Sequence, residues 1–141
     1  MITVYHHPRC PYSREALQMV EKLCARSDLL LEIIHYQQVP LTIPMLIKLQ
    51  KQLGVPIRGM MRTYESQYSK LKLSKAADFR LLQTLIEHPK LLRRPIVAYQ
   101  NFAVIAQPAQ LIEVLFCAPT ERAAKTEEII ASLTPALTKP L

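Results

Sequence analysis

Tryptophan is missing from the chain, and glycine is reduced to 2 residues in 141. Collagen-like and turn-rich low-complexity chains need far more glycine, so both classes are excluded. The 11 prolines argue against an all-β repeat protein. No apolar run approaches the roughly 20 residues that span a bilayer. The opening Met-Ile-Thr-Val-Tyr-His-His has neither the basic region nor the apolar region of a secretory signal. The expectation is a cytoplasmic chain with no membrane partner. Cysteine is scarce and odd in number, at 3, which speaks against a disulfide framework and leaves at least one thiol free.

Acidic residues are also few, 11 against 18 Lys and Arg, for a net charge of +7. The excess is local. Residues 48–94 carry +8, residues 1–47 are neutral and residues 95–141 sum to −1. A basic middle third suits an anionic partner. No helix-turn-helix, zinc-finger or RNA-binding-sheet motif accompanies it, so no nucleic acid is expected. Half of the chain is hydrophobic, enough for a core without a metal or disulfide staple.

Periodicity divides the chain into elements. Ile2–Tyr5 is short and β-rich. Ala16, Leu17, Val20 and Leu23 recur at helical spacing, with Ser13 as the expected cap. Leu29–Ile34 is apolar and β-branched and is expected to be a buried parallel strand. Thr42 is placed to cap a helix with Pro44 in its first turn and Gly54 at its end. Residues 55–77 read as irregular, and Asp78 opens a helix through Phe79, Leu82, Leu85 and Ile86. Pro95–Tyr99 and Ala103–Ala106 read as a hairpin, followed by helices over Pro108–Phe116 and about 126–133. The fold class is therefore α/β, a single domain over 1–141. It is β-α-β and β-β-α in thioredoxin-like order with a mixed sheet, interrupted by a helical insertion at about 41–90.

The turn between the first strand and the first helix is where α/β proteins bind ligands, and here it carries Cys10. Free thiols titrate near 8.5, and a helix N-terminus with cationic neighbours lowers that value. Cys10 has Arg9, Arg14, His6 and His7 nearby in sequence and the first amides of a helix beyond it. Those amides point either at the sulfur or at an anion bound beside it. Cys24 and Cys117, on apolar stripes, read as core packing. In Cys10-Pro11-Tyr12-Ser13 a serine stands where a dithiol oxidoreductase carries its second cysteine, so the chemistry must recruit an external thiol such as glutathione. A zinc site from Cys10, His6 and His7 lacks a fourth ligand, and no metal is expected.

The segment from His6 to Arg14 resembles the His-Asn-Pro-x-Cys-x-x-Ser-Arg turn of the glutaredoxin-coupled arsenate reductases, the ArsC family. The resemblance continues in order through His35-Tyr36, Pro40 and Thr42, then Met60-Met61-Arg62 near Glu65 and Tyr68. It ends in His88-Pro89-Lys90-Leu91-Leu92-Arg93-Arg94-Pro95-Ile96-Val97. It implies a thioredoxin-like fold with a helical insertion. It also implies a catalytic Cys10 that attacks arsenate, with glutathione as co-substrate, glutaredoxin as the resolving partner and no tightly bound cofactor. His6 matches the histidine associated with lowering the cysteine pKa. Arg62 and Arg94 match two of three oxyanion-binding arginines, with Ser13 and Arg14 in the supporting turn, and Pro95 matches a proline preceded by a cis bond. The third arginine is replaced by Gln107, which donates hydrogen bonds without charge. Two other functions fit parts of the pattern: monothiol glutaredoxin-like thiol exchange through Cys10, and Spx-like, non-catalytic binding to RNA polymerase. The latter regulators use a Cys-x-x-Cys switch that Ser13 removes.

Overall fold

A four-residue strand, β1 (Ile2–Tyr5), occupies the middle of the sheet because its Ile2 and Val4 can be buried on one face while Tyr5 is buried on the other. The computed structural model, which describes residues 1–133, pairs it on both sides. On one side β2 (Leu31–Ile34) runs parallel, with Tyr5 opposite Ile34. On the other, β3 (Ile96–Tyr99) runs antiparallel and is followed by antiparallel β4 (Phe102–Ile105). The order β2-β1-β3-β4 is the mixed, thioredoxin-like sheet expected from the sequence. Residues 134–141, which the sequence reading assigns to the same domain, lie outside the described ones.

Alternation along β3 divides the core in two. Val97 turns to the face covered by α1 (Pro11–Ser27) and by the 3-10 segment Ala109–Phe116, where it meets Ala16, Val20, Cys24, Ile112 and Leu115. Ile96 and Ala98 turn to the opposite face. There α2 (Ile43–Leu53) and α4 (Asp78–Glu87) bring Leu46, Leu49, Leu81 and Leu85. Thr42 caps α2 by accepting the Met45 N–H at 3.3 Å, and Gly54 ends it in the left-handed region at φ 67°.

The segment read as irregular is built of short turns: 3-10 stretches at Ile57–Met60 and Leu73–Lys75 around the five-residue α3 (Ser66–Lys70). One side chain holds them. The Arg58 guanidinium donates to the carbonyls of Leu73 at 2.7 Å and Ala76 at 2.9 Å, and to the Tyr68 hydroxyl. The Arg58 charge is therefore structural. Arg80 likewise donates to the Leu71 carbonyl at 2.7 Å.

Five expectations need correction. Helix α1 begins at Pro11 with Cys10 as its N-cap, so Ser13 is not the cap but a fully buried first-turn residue; proline supplies the preset φ of N1. Strand β2 is parallel but lies at the sheet edge, and its Glu32 and Ile33 are exposed. Segment Ala109–Phe116 is a 3-10 helix, in which the buried Ala109, Ile112 and Leu115 recur every three residues along one ridge. Phe79 is exposed in the first turn of α4, whereas Leu81 joins Leu82 and Leu85 in the core. Cys117 is only half-buried, its Sγ contacting the Glu113 carbonyl at 3.6 Å, while Cys24 is in the core as expected. The last helix, α5, spans Arg122–Leu133.

Replacing Arg58 by Ala strips two backbone carbonyls of their donors. Leaving such groups unsatisfied costs about 1–3 kcal/mol. Urea unfolding of Arg58→Ala is expected to show a loss of that order, and an unchanged midpoint would mean that water replaces the guanidinium without penalty.

Candidate active site

The C-terminal ends of β1 and β2 open onto the Cys10 turn. His7 and Arg9 shape it. The Cys10 N–H donates to the His7 carbonyl at 3.0 Å, the Arg9 N–H reaches His7 Nδ1 at 3.3 Å, and the Arg14 guanidinium donates to the Pro8 carbonyl at 3.0 Å. Cys10 is thereby left half-buried at the start of α1, where helix amides carry no intrahelical partner.

Two arginines arrive side by side, Arg62 from the insertion and Arg94 from the segment that leads into β3. The Arg62 N–H donates to the Leu91 carbonyl at 2.7 Å and the Arg93 N–H to the Met60 carbonyl at 2.8 Å, flanking an antiparallel bridge between Met61 and Leu92. This short ladder brings Arg62 and Arg94 together. Both guanidinium groups then donate to one acceptor, the Lys90 carbonyl, at 3.4 Å from Arg62 and 3.0 Å from Arg94. Arg62 is held further by Glu65 at 2.9 Å and by the Tyr64 hydroxyl at 2.9 Å. Arg94 precedes Pro95 through a cis peptide bond, and Gln107 precedes Pro108 through a second one.

These parts enclose an open cleft of about 240 Å³. Arg9, Cys10, Pro11 and Tyr12 form one wall, Arg62 and Tyr64 another, and Arg94 with Gln107 the third. With a water occupying roughly 30 Å³, the cleft has room for a tetrahedral oxyanion and several waters. Among the described residues, its lining includes no carboxylate and no histidine.

The thiol is tuned by opposing effects. Burial pushes the Cys10 thiol up, but the Ser13 and Tyr12 amides, the Ser13 hydroxyl and the Arg94 guanidinium together outweigh it and leave the thiol below its ordinary value. The Ser13 Oγ is fully buried without a conventional hydrogen-bond partner, which suits a group turned to a sulfur. Burial raises the Cys24 thiol against a weaker pull from the N-terminal charge. Among the described residues, no group of three or more metal-ligating side chains is assembled.

The structure brings together Cys10, Ser13, Arg62, Arg94 and Gln107, with Pro95 buried behind Arg94. Arg14 braces the turn from outside the cleft. His6 does not line the cleft. It faces a separate cavity of about 280 Å³ beside His35, ring against ring at 5.6 Å, and burial, His35 and Arg14 all lower its pKa. The histidine that senses the arginines is His7, lowered by burial first and then by Arg94, Arg62 and Arg9. Sequence reasoning missed Tyr12 and Tyr64 in the cleft wall and Tyr36 next to it. The rule that ligands bind at the carboxyl ends of parallel strands would have pointed to Tyr36, which follows β2.

The ArsC family model matches residues 5–114. An arsenate reductase of Escherichia coli strain K12 is 34% identical over 113 residues, 79% of this chain and 77% of that protein. An arsenate reductase of Yersinia enterocolitica is 30% identical over 129 residues, covering 90% of this chain and 89% of that protein. Among solved structures, an arsenate reductase from Vibrio cholerae superimposes with a TM-score of 0.72 at 34% identity, covering 79% of this chain and 95% of that one. No helix among the described residues is long and apolar enough to cross a membrane.

Two outcomes follow from the titrations. Iodoacetamide alkylation followed against pH should give Cys10 a midpoint below the free-thiol value near 8.5, with buried Cys24 reacting later and more slowly; faster labelling of Cys24 or Cys117 in the folded chain would contradict the site. The two depressed histidines give the second. His6 and His7 stay neutral in the folded chain below the pH at which unfolded histidine, near 6.5, takes up its proton. Unfolding free energy should therefore fall as pH drops below about 6.5, and a profile flat from pH 7 to 5 would contradict the burial of these rings.

Proposed function

Because the chain belongs to the ArsC family, with a lowered thiol opening onto two arginines, we propose that it is an arsenate reductase-type oxidoreductase that uses Cys10 as nucleophile and glutathione and glutaredoxin as electron donors. The observation that carries the reading is the cleft itself: a sulfur whose thiol is held below its ordinary value, sharing with Arg62 and Arg94 a space that admits an oxyanion.

The chemistry follows from the parts. Arg62 and Arg94 present guanidinium N–H donors to an oxyanion and hold it beside the sulfur. The Cys10 thiolate attacks the arsenic; an S–As bond forms, an As–O bond breaks, and the departing oxygen leaves as water after taking up protons from solvent. A glutathione thiolate then attacks the Cys10 sulfur, forming an S–S bond. The S–As electron pair remains on arsenic, which falls from As(V) to As(III) and departs as arsenite. Glutaredoxin accepts the glutathione through a second exchange and releases Cys10 as thiolate. Ser13, with no thiol of its own, cannot close a disulfide with Cys10, so an external thiol is required. The same Ser13 argues against an oxidant-sensing switch.

Gln107 gives a second reading its footing. With an amide at position 107, that part of the cleft offers a hydrogen bond without charge, and thiol exchange on glutathionylated substrates asks less of it. NADPH oxidation coupled through glutathione reductase, glutathione and glutaredoxin separates the two. Arsenate should drive turnover by the native chain and none by Cys10→Ser. Turnover with a glutathionylated disulfide but not with arsenate would replace the first reading by the second. In the same assay Gln107→Arg should raise kcat/KM for arsenate several-fold. A hydrogen bond to a charged group exceeds a neutral one by about 1 kcal/mol, and each 1.36 kcal/mol is tenfold.

A further inference from the structure

The turn that delivers Arg62 to the cleft folds back on its own side chain. The Glu65 N–H donates to the Arg62 carbonyl at 3.1 Å, which closes a reverse turn over residues 62–65. Two side chains of that turn then reach the guanidinium. Arg62 Nε donates to the Tyr64 hydroxyl at 2.9 Å, and Nη2 donates to Glu65 Oε1 at 2.9 Å. Nη1 reaches the Lys90 carbonyl at 3.4 Å. Each nitrogen therefore has a protein acceptor. Of the five N–H donors of an arginine three are taken. The two that remain sit one on each terminal nitrogen, the number that a bidentate oxyanion contact uses.

Glu65 is a poor residue for the local structure. It stands at the N-cap of α3, where serine, threonine, aspartate and asparagine serve best, and its side chain makes no capping bond. Helix α3 has its own anchor in Tyr68, whose hydroxyl accepts from Arg58. The carboxylate instead turns back to Arg62, and both side chains of the pair are largely buried, at 18% and 27% exposure. Arg62 and Tyr64 line the cleft and Glu65 does not. An anion in the cleft thus meets the guanidinium and not the carboxylate.

We infer that Glu65 is a positioning residue of the oxyanion cleft: its carboxylate, with the Tyr64 hydroxyl, fixes the Arg62 guanidinium so that the two remaining N–H groups are set before the anion arrives. A long side chain that is ordered only on binding costs affinity, and one held beforehand does not. Charge acts the other way, because Glu65 offsets part of the attraction that Arg62 exerts on an anion. The two effects are separable. Glutamine at this position keeps an acceptor oxygen without the charge, and alanine keeps neither. The assignment rests on the cleft taking an oxyanion, as proposed above, and not on that anion being reduced.

The test is protection of Cys10 from iodoacetamide by arsenate, measured without glutathione so that no turnover occurs, in the native chain, Glu65→Gln and Glu65→Ala. Both variants lose the same charge, and only glutamine still offers an oxygen to Nη2. Half-protection should need about threefold to tenfold more arsenate in Glu65→Ala than in Glu65→Gln, the range expected when one rotamer-rich side chain is ordered on binding. In an Arg62→Gln background the two should be equal, because Glu65 acts through Arg62. With glutathione and glutaredoxin present, the same gap should appear in KM and not in kcat. Equal half-protection in the two variants, with the native chain protected, would overturn the assignment and leave the oxyanion reading standing. A gap that persists in the Arg62→Gln background would also overturn it. A native chain that arsenate does not protect would overturn the oxyanion reading and the role of Glu65 with it. Should alanine unfold the chain, Glu65→Leu keeps the apolar stem without an acceptor, and the same outcomes apply.

Discussion

Burying a sulfur halfway into a protein ordinarily keeps its proton in place, and the Cys10 turn reverses that tendency with the first amides of α1, a buried serine hydroxyl and one guanidinium. The fold supplies these donors at little cost. Strand β1 delivers the chain to the end of the sheet, Pro11 starts the helix, and Cys10 becomes the residue that caps it. A thiol in that position faces N–H groups that the helix leaves unpaired, so the helix start and the nucleophile are one feature. The contrast with Cys24 shows the local nature of the effect: on the buried face of the same helix, burial prevails over the weaker pull of the N-terminal charge and raises the thiol.

The second half of the site comes from elsewhere in the chain. The helical stretch between β2 and β3 builds its own apolar layer on the sheet, and the bridge between Met61 and Leu92 fixes where its two arginines emerge. The shared Lys90 carbonyl then sets their spacing. The positive charge of the middle third is thereby divided between two tasks. Arg58 and Arg80 hold the backbone of the insertion, whereas Arg62 and Arg94 face the thiol. A charge total could not have separated these roles, because they depend on which carbonyls lie within reach.

Much of this was legible in the sequence where one physical rule dominated. Thr42 and Gly54 mark α2 because a side-chain oxygen and a left-handed residue are the ordinary ends of a helix, and the Ile96–Ile105 hairpin is apolar on both sides of a polar turn. Cys10, Arg62, Arg94 and Gln107 could be brought together through the resemblance of their ordered motifs. Other features depended on context that the sequence does not carry. An apolar run reads the same at a sheet edge as at its centre, so β2 looked buried. Eight residues are too few to separate a three-residue from a 3.6-residue period, so Ala109–Phe116 looked α-helical. His6 and His7 are neighbours in sequence but alternate across the strand end, which decides which ring meets the arginines.

The claim on which the rest depends is that Cys10 forms the covalent link to the oxyanion. Acid quenching during turnover with arsenate and limiting glutathione, followed by peptide mass spectrometry, observes that link directly. The account predicts an arsenic or glutathione adduct on the peptide carrying Cys10, absent from Cys10→Ser and removed when glutaredoxin is added. An adduct confined to Cys24 or Cys117, or arsenite formed with Cys10 unmodified at every time point, would contradict it.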